Sequence, residues 1–192
     1  MKLLEERIQQ DGKVLPGDIL KVDSFINHQI DTKLMDEIGK EFARLFADKG
    51  INKILTIEAS GIAIAMAASR YLGFVPVVFA KKTAASNMGN ETYASMERSY
   101  TRGVDYEVKV SRDYLNENDR VLILDDFLAN GEAMSALIRI CDQAKAEVVG
   151  VGAIICKTYQ PGEQRIRDLG YDVKVLARVS SLGEDGSITF EE

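Results

Sequence analysis

Two adjacent carboxylates follow a run of four apolar residues, at a point where a buried strand is expected to end. Residues 121–124 have the composition of a strand buried on both faces. Asp125 and Asp126 should therefore emerge at its carboxyl end, where open α/β sheets bind ligands. Residues 128–133 then offer backbone N–H groups at a helix start, which suit a phosphate. Carboxylates do not bind phosphate, so the acids are expected to contact ribose hydroxyls or phosphate-bound Mg²⁺, and the stretch predicts a sugar-phosphate site.

A second loop of this kind occurs earlier, where a strand pattern gives way to small residues. Residues 51–57 are followed by Glu58, Ala59, Ser60 and Gly61, just before a helical pattern. Backbone donors at such a turn suit a second anion. The same residues also fit an ordinary strand-to-helix connection, in which Ser60 caps the helix and Gly61 relieves crowding. Taken alone, this loop does not decide between the two interpretations.

Paired acids after a strand also occur in nucleotide hydrolases, response regulators and helix caps. The chain contains no Gly-x-x-x-x-Gly-Lys-Ser/Thr stretch and no Gly-x-Gly-x-x-Gly after a strand. These two absences argue against a nucleotide hydrolase and against a dinucleotide-binding protein.

Residues 121–133 as a whole resemble the PRPP-binding motif of the type I phosphoribosyltransferases. The sequence Asp-Asp-Phe-Leu-Ala-Asn-Gly is similar to that of the xanthine phosphoribosyltransferase branch. Members of this branch make XMP and pyrophosphate from xanthine and PRPP (5-phosphoribosyl 1-pyrophosphate). Most of the superfamily has a loop rich in Thr and Gly where this chain has Ala129, Asn130, Glu132 and Ala133. The resemblance therefore implies a phosphate held mainly by backbone donors, with the Glu132 side chain directed away from it.

The resemblance implies that two loops and one lysine bind PRPP. The implied PRPP-binding residues are Glu58, Ala59, Ser60, Gly61, Lys81, Asp125, Asp126, Leu128, Ala129, Asn130, Gly131, Glu132 and Ala133. Asp125 and Asp126 are the implied catalytic residues. Asp126 is expected to contact a ribose hydroxyl, and Asp125 to hold the loop geometry or to bind through metal-bound water. Mg²⁺ is expected to arrive with PRPP, and no side chain is assigned as its direct ligand.

By the same resemblance, Leu20, Asn27 and Lys157 bind xanthine. Lys157 follows a predicted strand, where a cation would face a purine carbonyl, and the Asn27 amide would meet the 2-oxo group. Without the resemblance, Asn27 would be interpreted as a turn asparagine. The residues that match the family's flexible catalytic loop are Ser99, Tyr100 and Thr101.

The elements that would position these residues alternate between strand and helix. Strand patterns cover residues 51–57, 75–80, 121–124, 148–156 and 173–179, and helical patterns between them cover 61–71, 131–144 and 161–169. This order predicts parallel pairing, and hence an α/β fold with a mostly parallel sheet wound on both faces, of the type I phosphoribosyltransferase kind. Residues 187–190 fit one more short edge strand.

The chain is expected to form a single domain, residues 1–192, with two additional parts. A helix at residues 3–10 and irregular apolar spacing beyond it predict a small N-terminal hood outside the sheet core, mainly residues 1–30. Apolar density falls over about residues 82–114, which are interpreted as a flexible hairpin lid. A lid suits phosphoribosyl transfer, because the oxocarbenium-like state at ribose C1 must be kept from water.

Composition and charge limit the classes of partner and the cellular compartment that can be expected. The net charge of −6 argues against a nucleic-acid binder, since nonspecific affinity needs a basic surface. The sequence does not open with a charged segment followed by an apolar one, and no apolar run approaches the roughly 20 residues of a membrane span, so no membrane partner is expected. Cys141 and Cys156 lack metal-ligand spacing and are expected to be small buried residues in a reducing cytoplasm. The family resemblance implies a homodimer.

Two rival functions remain open from the sequence. The first is a phosphoribosyltransferase for another purine, such as adenine, hypoxanthine or guanine, because a hood can change while the PRPP loop does not. The second is a regulator that senses PRPP on the same fold. Against the regulator, the roughly 30 residues ahead of the helical pattern at Leu34 are too few for an added winged-helix domain.

Overall fold

A computed structural model describes residues 1–82, 91–99 and 104–191 of the chain. The helices are α1 (Lys2–Asp11), α2 (Thr32–Leu45), α3 (Ser60–Tyr71), α4 (Glu132–Ala144) and α5 (Gly162–Asp168). The strands are β1 (Lys13–Leu15), β2 (Ile19–Lys21), β3 (Lys53–Ile57), β4 (Val77–Ala80), β5 (Thr92–Ser99), β6 (Val104–Ser111), β7 (Arg120–Leu128), β8 (Glu147–Lys157), β9 (Val173–Leu182) and β10 (Ile188–Phe190). Short helical turns lie at Asp23–Asn27, Ala47–Lys49 and Arg112–Tyr114. Within the described ranges, no helix is both long and apolar enough to cross a bilayer.

The main sheet has the strand order β10-β9-β8-β7-β3-β4. Neighbouring strands from β9 to β4 are parallel, whereas β10 pairs antiparallel with β9 at the edge. Parallel pairing requires crossover connections, and α3, α4 and α5 supply them after β3, β7 and β8. The mostly parallel sheet and the short C-terminal edge strand are therefore confirmed.

Helices cover both faces of this sheet. On one face, α2 and α3 bury Ile38, Phe42 and Ile64 completely. On the other face, α4 buries Leu137 and Ile140 against the strands. Residues 121–124 of β7 alternate between these two cores, which explains why the strand begins with a continuous apolar run. The expected winding on both faces is confirmed.

Residues 1–30 complete the first of these cores. Leu4, Ile8, Phe25 and Ile26 are fully buried and belong to the same cluster as the buried residues of α2 and α3. The irregular apolar spacing indicated a segment outside the core, and this expectation was wrong. The segment folds as α1, the β1–β2 hairpin and the helical turn, and each of these pieces directs different apolar residues inward. We keep the name hood for residues 1–30.

β5 and β6 form the antiparallel hairpin that the sequence indicated. Lys81, just after β4, exchanges two backbone hydrogen bonds with Lys109 of β6, at 2.9 and 3.0 Å. The hairpin is therefore joined to the edge of the main sheet. Ser99 is the last residue of β5, whereas Tyr100 and Thr101 lie outside the described residues.

β7 is longer than its apolar pattern indicated. The strand was expected to end at residue 124, but it continues to Leu128, and Asp125 pairs with Ala153 of β8. Asp125 and Asp126 are therefore strand residues rather than the first residues of a loop. The two aspartates interrupt the apolar pattern although the strand continues, because a hydrophobic pattern indicates burial and not backbone pairing.

Both cysteines are buried and free, as expected from their positions. Burial raises the pKa of the Cys141 thiol and that of the Cys156 thiol to about 12. Neither side chain is a reactive thiolate at neutral pH, which agrees with a structural role.

Candidate functional site

The strand order of the sheet reverses between β3 and β7, which are adjacent and parallel. From β3 the chain passes through α3 to β4 on one side, and from β7 it passes through α4 to β8 on the other. A crevice opens at the carboxyl ends of the strands at such a switch point, and open α/β sheets bind ligands there. Residues 58–61 and 128–133, the two loops singled out in the sequence, both lie at this point.

Asp125 and Asp126 occupy different environments at the end of β7. Asp125 is only 5% exposed, and its Oδ1 accepts a hydrogen bond from the Asp126 backbone N–H at 2.9 Å. Asp126 is half-buried, and its Oδ1 accepts from the Phe127 N–H at 3.0 Å. The Asp126 Oδ2 accepts from the Asn27 side-chain amide at 3.1 Å. Asp126 thus remains accessible and touches the hood, while Asp125 lies in the interior.

The protonation of Asp125 is shifted by its surroundings. Burial raises the pKa of Asp125 well above its usual range, and the negative charge of Asp126 raises it further. The Lys82 ammonium acts in the opposite direction on the same pKa. A bound cation close to the pair would lower the pKa again, so this carboxyl is sensitive to whatever charge occupies the crevice.

Gly61 allows the first loop to approach the acid pair closely. A Cβ at this position would lie 1.8 Å from Thr56 Oγ1 and 3.5 Å from Asp125 Oδ1. Thr56 is fully buried, and its Oγ1 has no hydrogen-bond partner among the described residues. Any larger residue at position 61 would therefore clash with the Thr56 side chain of β3.

The first loop, residues 58–61, contains a cis peptide bond between Glu58 and Ala59. Ala59 is the N-cap residue of α3, Ser60 is its first helical residue, and no side chain caps the helix. The interpretation in which Ser60 caps the helix is therefore wrong. The Glu58 carboxylate accepts a hydrogen bond from the Lys82 backbone N–H at 2.7 Å, which ties the loop to the segment after β4.

Two consecutive lysines follow β4 at the same end of the sheet. The Lys81 ammonium lies 6.0 Å from the centre of the Phe79 ring, a cation–π distance. The Lys82 ammonium donates to the Tyr106 hydroxyl at 3.2 Å and also acts on the charge of Asp125. The family resemblance pointed to Lys81 alone, whereas the structure brings Lys82 toward the acid pair.

The second loop leads into the start of α4, where the first N–H groups of a helix have no partner within the helix. Gly131 is the N-cap residue of α4, and its φ of +80° favours glycine. The Ala129 carbonyl accepts a hydrogen bond from the Gly162 N–H at 2.9 Å. A Cβ on Gly162 would lie 2.2 Å from that carbonyl oxygen, so α5 packs directly on the loop.

Glu132, the first residue of α4, forms an ion pair with Arg165 of α5. The same guanidinium lies 3.4 Å from the Asn130 carbonyl oxygen. Glu132 was the residue that fitted an anion site least, because like charges repel each other. The ion pair compensates its charge and holds its carboxylate against α5.

The residues expected to bind a base lie around the same end of the sheet. Lys157 ends β8 beside β7 and is 8% exposed. Its ammonium donates to the Asp18 backbone carbonyl and lies 3.5 Å from the Asp18 carboxylate. Leu20 is buried in β2, and Asn27 is the exposed residue that contacts Asp126.

The donor set can be tested against a magnesium ion. In the part of the chain that the structure describes, no group of three or more His, Cys, Asp or Glu side chains could hold a metal. Mg²⁺ commonly takes one or two carboxylates, substrate phosphates and several waters. Asp125 and Asp126 fit that pattern, and therefore fit an ion that enters with a phosphate ligand.

Comparison with known proteins gives a match to the family described as "Phosphoribosyl transferase domain" over residues 27–184. The chain belongs to this phosphoribosyl transferase family. Proteins named xanthine phosphoribosyltransferase from Ruminiclostridium cellulolyticum and Finegoldia magna are 50% and 52% identical to it over 192 residues. One of the same name from Clostridium novyi is 53% identical over 191 residues, and in all three cases 100% of both chains is covered. The resemblance drawn from the sequence is confirmed.

Solved adenine phosphoribosyltransferases share the fold of this family member. The enzyme of Trypanosoma brucei, in complex with AMP, pyrophosphate and ribose-5-phosphate, has a TM-score of 0.78 at 20% identity, covering 95% of this chain and 82% of that one. The enzyme of Rhodothermus marinus has a TM-score of 0.73 at 23% identity, covering 93% and 100%. At these identities the likeness establishes the fold alone.

Residues at the site that the sequence did not single out include Asp18, Thr56 and Arg165. Asp18 and Lys157 are 139 positions apart, and Arg165 and Glu132 are 33 positions apart. Contacts between such distant segments leave no local spacing to recognise. Thr56 lies inside a strand pattern, where a threonine is an ordinary strand residue.

Proposed function

We propose that this protein is a xanthine phosphoribosyltransferase, which transfers the 5-phosphoribosyl group of PRPP to N9 of xanthine and gives XMP and pyrophosphate. The proposal depends chiefly on the hydrogen bond between the Asn27 amide and the Asp126 carboxylate, at 3.1 Å. This contact joins the base side of the site to the PRPP side. The full-length relatives named xanthine phosphoribosyltransferase support xanthine as the base.

PRPP is proposed to bind across the two loops at the switch point. Its 5-phosphate accepts hydrogen bonds from the backbone N–H groups of Leu128, Ala129, Asn130, Gly131, Glu132 and Ala133. Its pyrophosphate binds at the first loop, formed by Glu58, Ala59, Ser60 and Gly61, together with Lys81. Asp126 accepts hydrogen bonds from the ribose hydroxyls, because its carboxylate is accessible and can only accept when ionised. Asp125 holds the end of β7 in place by accepting the Asp126 N–H.

Xanthine is proposed to bind between the hood and the end of β8. The Lys157 ammonium donates to a purine oxo group, the Asn27 amide donates to the 2-oxo group, and Leu20 borders the pocket. When the ribose hydroxyls of PRPP donate to the Asp126 carboxylate, the Asn27 amide loses its hydrogen-bond partner and becomes available to the base. An Asn donor also separates xanthine from hypoxanthine, because hypoxanthine lacks the 2-oxo group and would leave that donor unpaired.

The proposed reaction forms the bond from N9 to ribose C1 while the bond from C1 to pyrophosphate breaks. Pyrophosphate leaves with the electron pair, and the base releases one proton to solvent. The protein contributes positioning and fixed dipoles, and no side chain is assigned as a general base. The lid, about residues 82–114 with Ser99, Tyr100 and Thr101, is proposed to exclude water from the charged C1.

Bound together with PRPP, Mg²⁺ would supply charge neutralisation for the departing pyrophosphate. The accessible Asp126, and Asp125 through metal-bound water, are the residues that would hold it, and neither is assigned as a direct ligand. We also propose that the enzyme is a single-domain cytoplasmic homodimer, as the family resemblance implies.

The function can be tested in one chromatographic assay. The protein is incubated with PRPP, Mg²⁺ and equal amounts of xanthine, guanine, hypoxanthine and adenine, and the nucleotide products are separated. XMP is the expected main product. A matched reaction without PRPP should give none.

Two other outcomes would change the proposal. Formation of a different nucleotide would retain the transferase and remove Leu20, Asn27 and Lys157 as xanthine determinants. If no nucleotide forms although PRPP binds in calorimetry, the protein is a PRPP sensor on this fold and the enzymatic proposal is wrong.

A further inference from the structure

Asp18, in the turn of the hood hairpin, gathers three donors from one distant segment. Its backbone carbonyl accepts a hydrogen bond from the Lys157 ammonium. Its carboxylate lies 3.5 Å from that ammonium, and it accepts from the Tyr159 hydroxyl at 2.7 Å and from the Gln160 amide at 2.9 Å. The three donors come from residues 157–160, at and just after the end of β8. Asp18 is therefore the point at which the hood hairpin is fastened to this segment.

The turn itself does not require an aspartate. Asp18 has a φ of +61° and follows Gly17 at +83°. Aspartate tolerates this left-handed region better than most residues, but glycine adopts it without strain. The Asp18 side chain is also 41% exposed, so it is not needed to fill the core. Its distinctive contribution is the set of bonds to residues 157–160.

The geometry at Lys157 shows what these bonds can do for a ligand. An ammonium has three N–H donors. The carbonyl and the carboxylate of Asp18 are positioned to take two of them, which leaves one for a further acceptor. Fixing the four-carbon Lys157 side chain in advance also removes rotamer freedom that would otherwise be lost on binding.

We propose that Asp18 is a positioning residue for base recognition. It fastens the hood hairpin to residues 157–160 and directs the remaining N–H of the Lys157 ammonium toward an oxo group of the purine. This inference rests on the proposed function, since Lys157 meets a purine only in that reaction. Loss of the Asp18 carboxylate should therefore impair xanthine binding and spare PRPP binding.

Two substitutions separate the carboxylate from the turn. Asp18→Gly suits the positive φ, keeps the backbone carbonyl that Lys157 uses, and removes every side-chain bond. Asp18→Asn keeps the side-chain shape but offers one acceptor oxygen instead of two. If one variant fails to fold, the other still carries the test.

The measurement is steady-state kinetics with xanthine and PRPP varied separately. We expect Asp18→Gly to raise KM for xanthine about tenfold, the factor that follows from losing a charged hydrogen bond, and Asp18→Asn to raise it less. The KM for PRPP should stay unchanged. A general destabilisation of the fold would affect both KM values and would not produce this split between the two substrates.

Asp48→Asn is the matched control. It removes one exposed carboxylate from the Ala47–Lys49 turn, which precedes β3 and so lies at the opposite end of that strand from the site. Both KM values should match the wild type, and melting curves should confirm that all three variants fold.

The outcomes distinguish this inference from the function on which it rests. A wild-type protein that makes no XMP overturns the proposed function, and the role of Asp18 with it. If the wild type makes XMP, an unchanged xanthine KM in both Asp18 variants overturns the positioning role alone. Equal increases in KM for xanthine and PRPP would also overturn it.

Discussion

Asp125 and Asp126 are identical side chains that the pleat of β7 directs differently, because successive strand residues point to opposite faces. Asp125 lies buried beside Gly61, whereas Asp126 reaches Asn27 of the hood. Ionising a buried carboxyl is unfavourable, since its surroundings solvate charge less well than water does. Asp125 is therefore expected to reduce the stability of the free protein while it holds the end of β7 in place.

Replacing Asp125 with asparagine should raise the melting temperature of the ligand-free protein at neutral pH. Burial raises the pKa of Asp125 in the folded protein above its usual value of 3.8. At a pH between 3.8 and the raised pKa, the folded state therefore binds more protons than the unfolded state. The free energy of unfolding of the wild type therefore falls as pH rises through this window. Below pH 3.8 both states are protonated and this contribution vanishes.

Melting temperatures of the wild type and Asp125→Asn, measured from acidic to neutral pH, should diverge as the pH rises. Each kcal/mol gained shifts the melting temperature by about 2–4 °C in a domain of this size. Asparagine keeps an oxygen for the Asp126 N–H, so the change tests charge rather than shape. A variant that melts lower than the wild type at neutral pH would contradict the assigned cost of ionisation.

The sequence located the acid pair but could not separate its two members. Adjacent aspartates carry the same local signal, and the difference arises from Gly61 and Thr56 on another strand-loop unit. The family resemblance favoured Asp126 for the ribose contact, and its accessibility supports that preference. The sequence alone did not show that the hood lies beside Asp126.

Among the elements, α5 has the most direct influence on the second loop. The Gly162 N–H and the Arg165 guanidinium hold the Ala129 and Asn130 carbonyls, and Arg165 also pairs with Glu132 of α4. Two helices and the loop therefore form one hydrogen-bonded unit. If a phosphate binds there, the ion pair prevents a carboxylate from repelling it.

Removing Arg165 should weaken PRPP binding through Glu132. Arg165→Ala leaves the Glu132 carboxylate uncompensated beside the loop, and we expect KM for PRPP to rise about fivefold, or roughly 1 kcal/mol for a partly exposed charge. Adding Glu132→Gln to this variant should restore most of the affinity. The measurement is PRPP kinetics on both single variants and the double variant.

Salt and the double variant make this prediction specific. The effect of Arg165→Ala should shrink at high ionic strength, because screening weakens repulsion between exposed charges. Glu132→Gln alone should leave KM for PRPP at or below the wild-type value. A double variant as weak as Arg165→Ala would mean that Arg165 acts on the phosphate itself and not on Glu132.

For the main sheet and the helices that cover it, the sequence predicted which segments form helices and strands, but it did not predict the contacts between these elements. Alternating strand and helix patterns predicted every parallel strand of the sheet, because burial on both faces leaves a continuous apolar signal. The same signal ended β7 four residues early, since Asp125 and Asp126 are polar strand residues. The packing of α5 on the loop left no trace in the sequence of either partner.

For the molecule as a whole, the hood is both part of the core and part of the site. Phe25 and Ile26 are fully buried, and Asn27 immediately after them contacts Asp126. The Asp31 side chain accepts hydrogen bonds from the N–H groups of Lys33 and Leu34, so α2 begins directly behind the hood. This connection couples the position of Asn27 to the stability of the fold.

A core substitution in the hood should therefore lower the stability of the whole molecule. Phe25→Ala removes a fully buried ring that packs with α2 and α3 and over which the Arg7 guanidinium lies at 5.1 Å. Phe to Ala changes in cores cost about 3–5 kcal/mol. At about 2–4 °C per kcal/mol, the melting temperature should fall by roughly 6–20 °C.

Calorimetry distinguishes this outcome from a hood that moves independently. If the hood and the sheet share one core, Phe25→Ala should melt in a single transition at lower temperature. Leu3→Ala is the control, because Leu3 also lies in the hood but is 49% exposed, and surface changes usually have small effects. A Phe25→Ala protein with an unchanged main transition and only weakened xanthine binding would mean that the hood is a flap on an independent core. The buried positions of Leu4, Ile8, Phe25 and Ile26 in one cluster with α2 and α3 argue for the shared core.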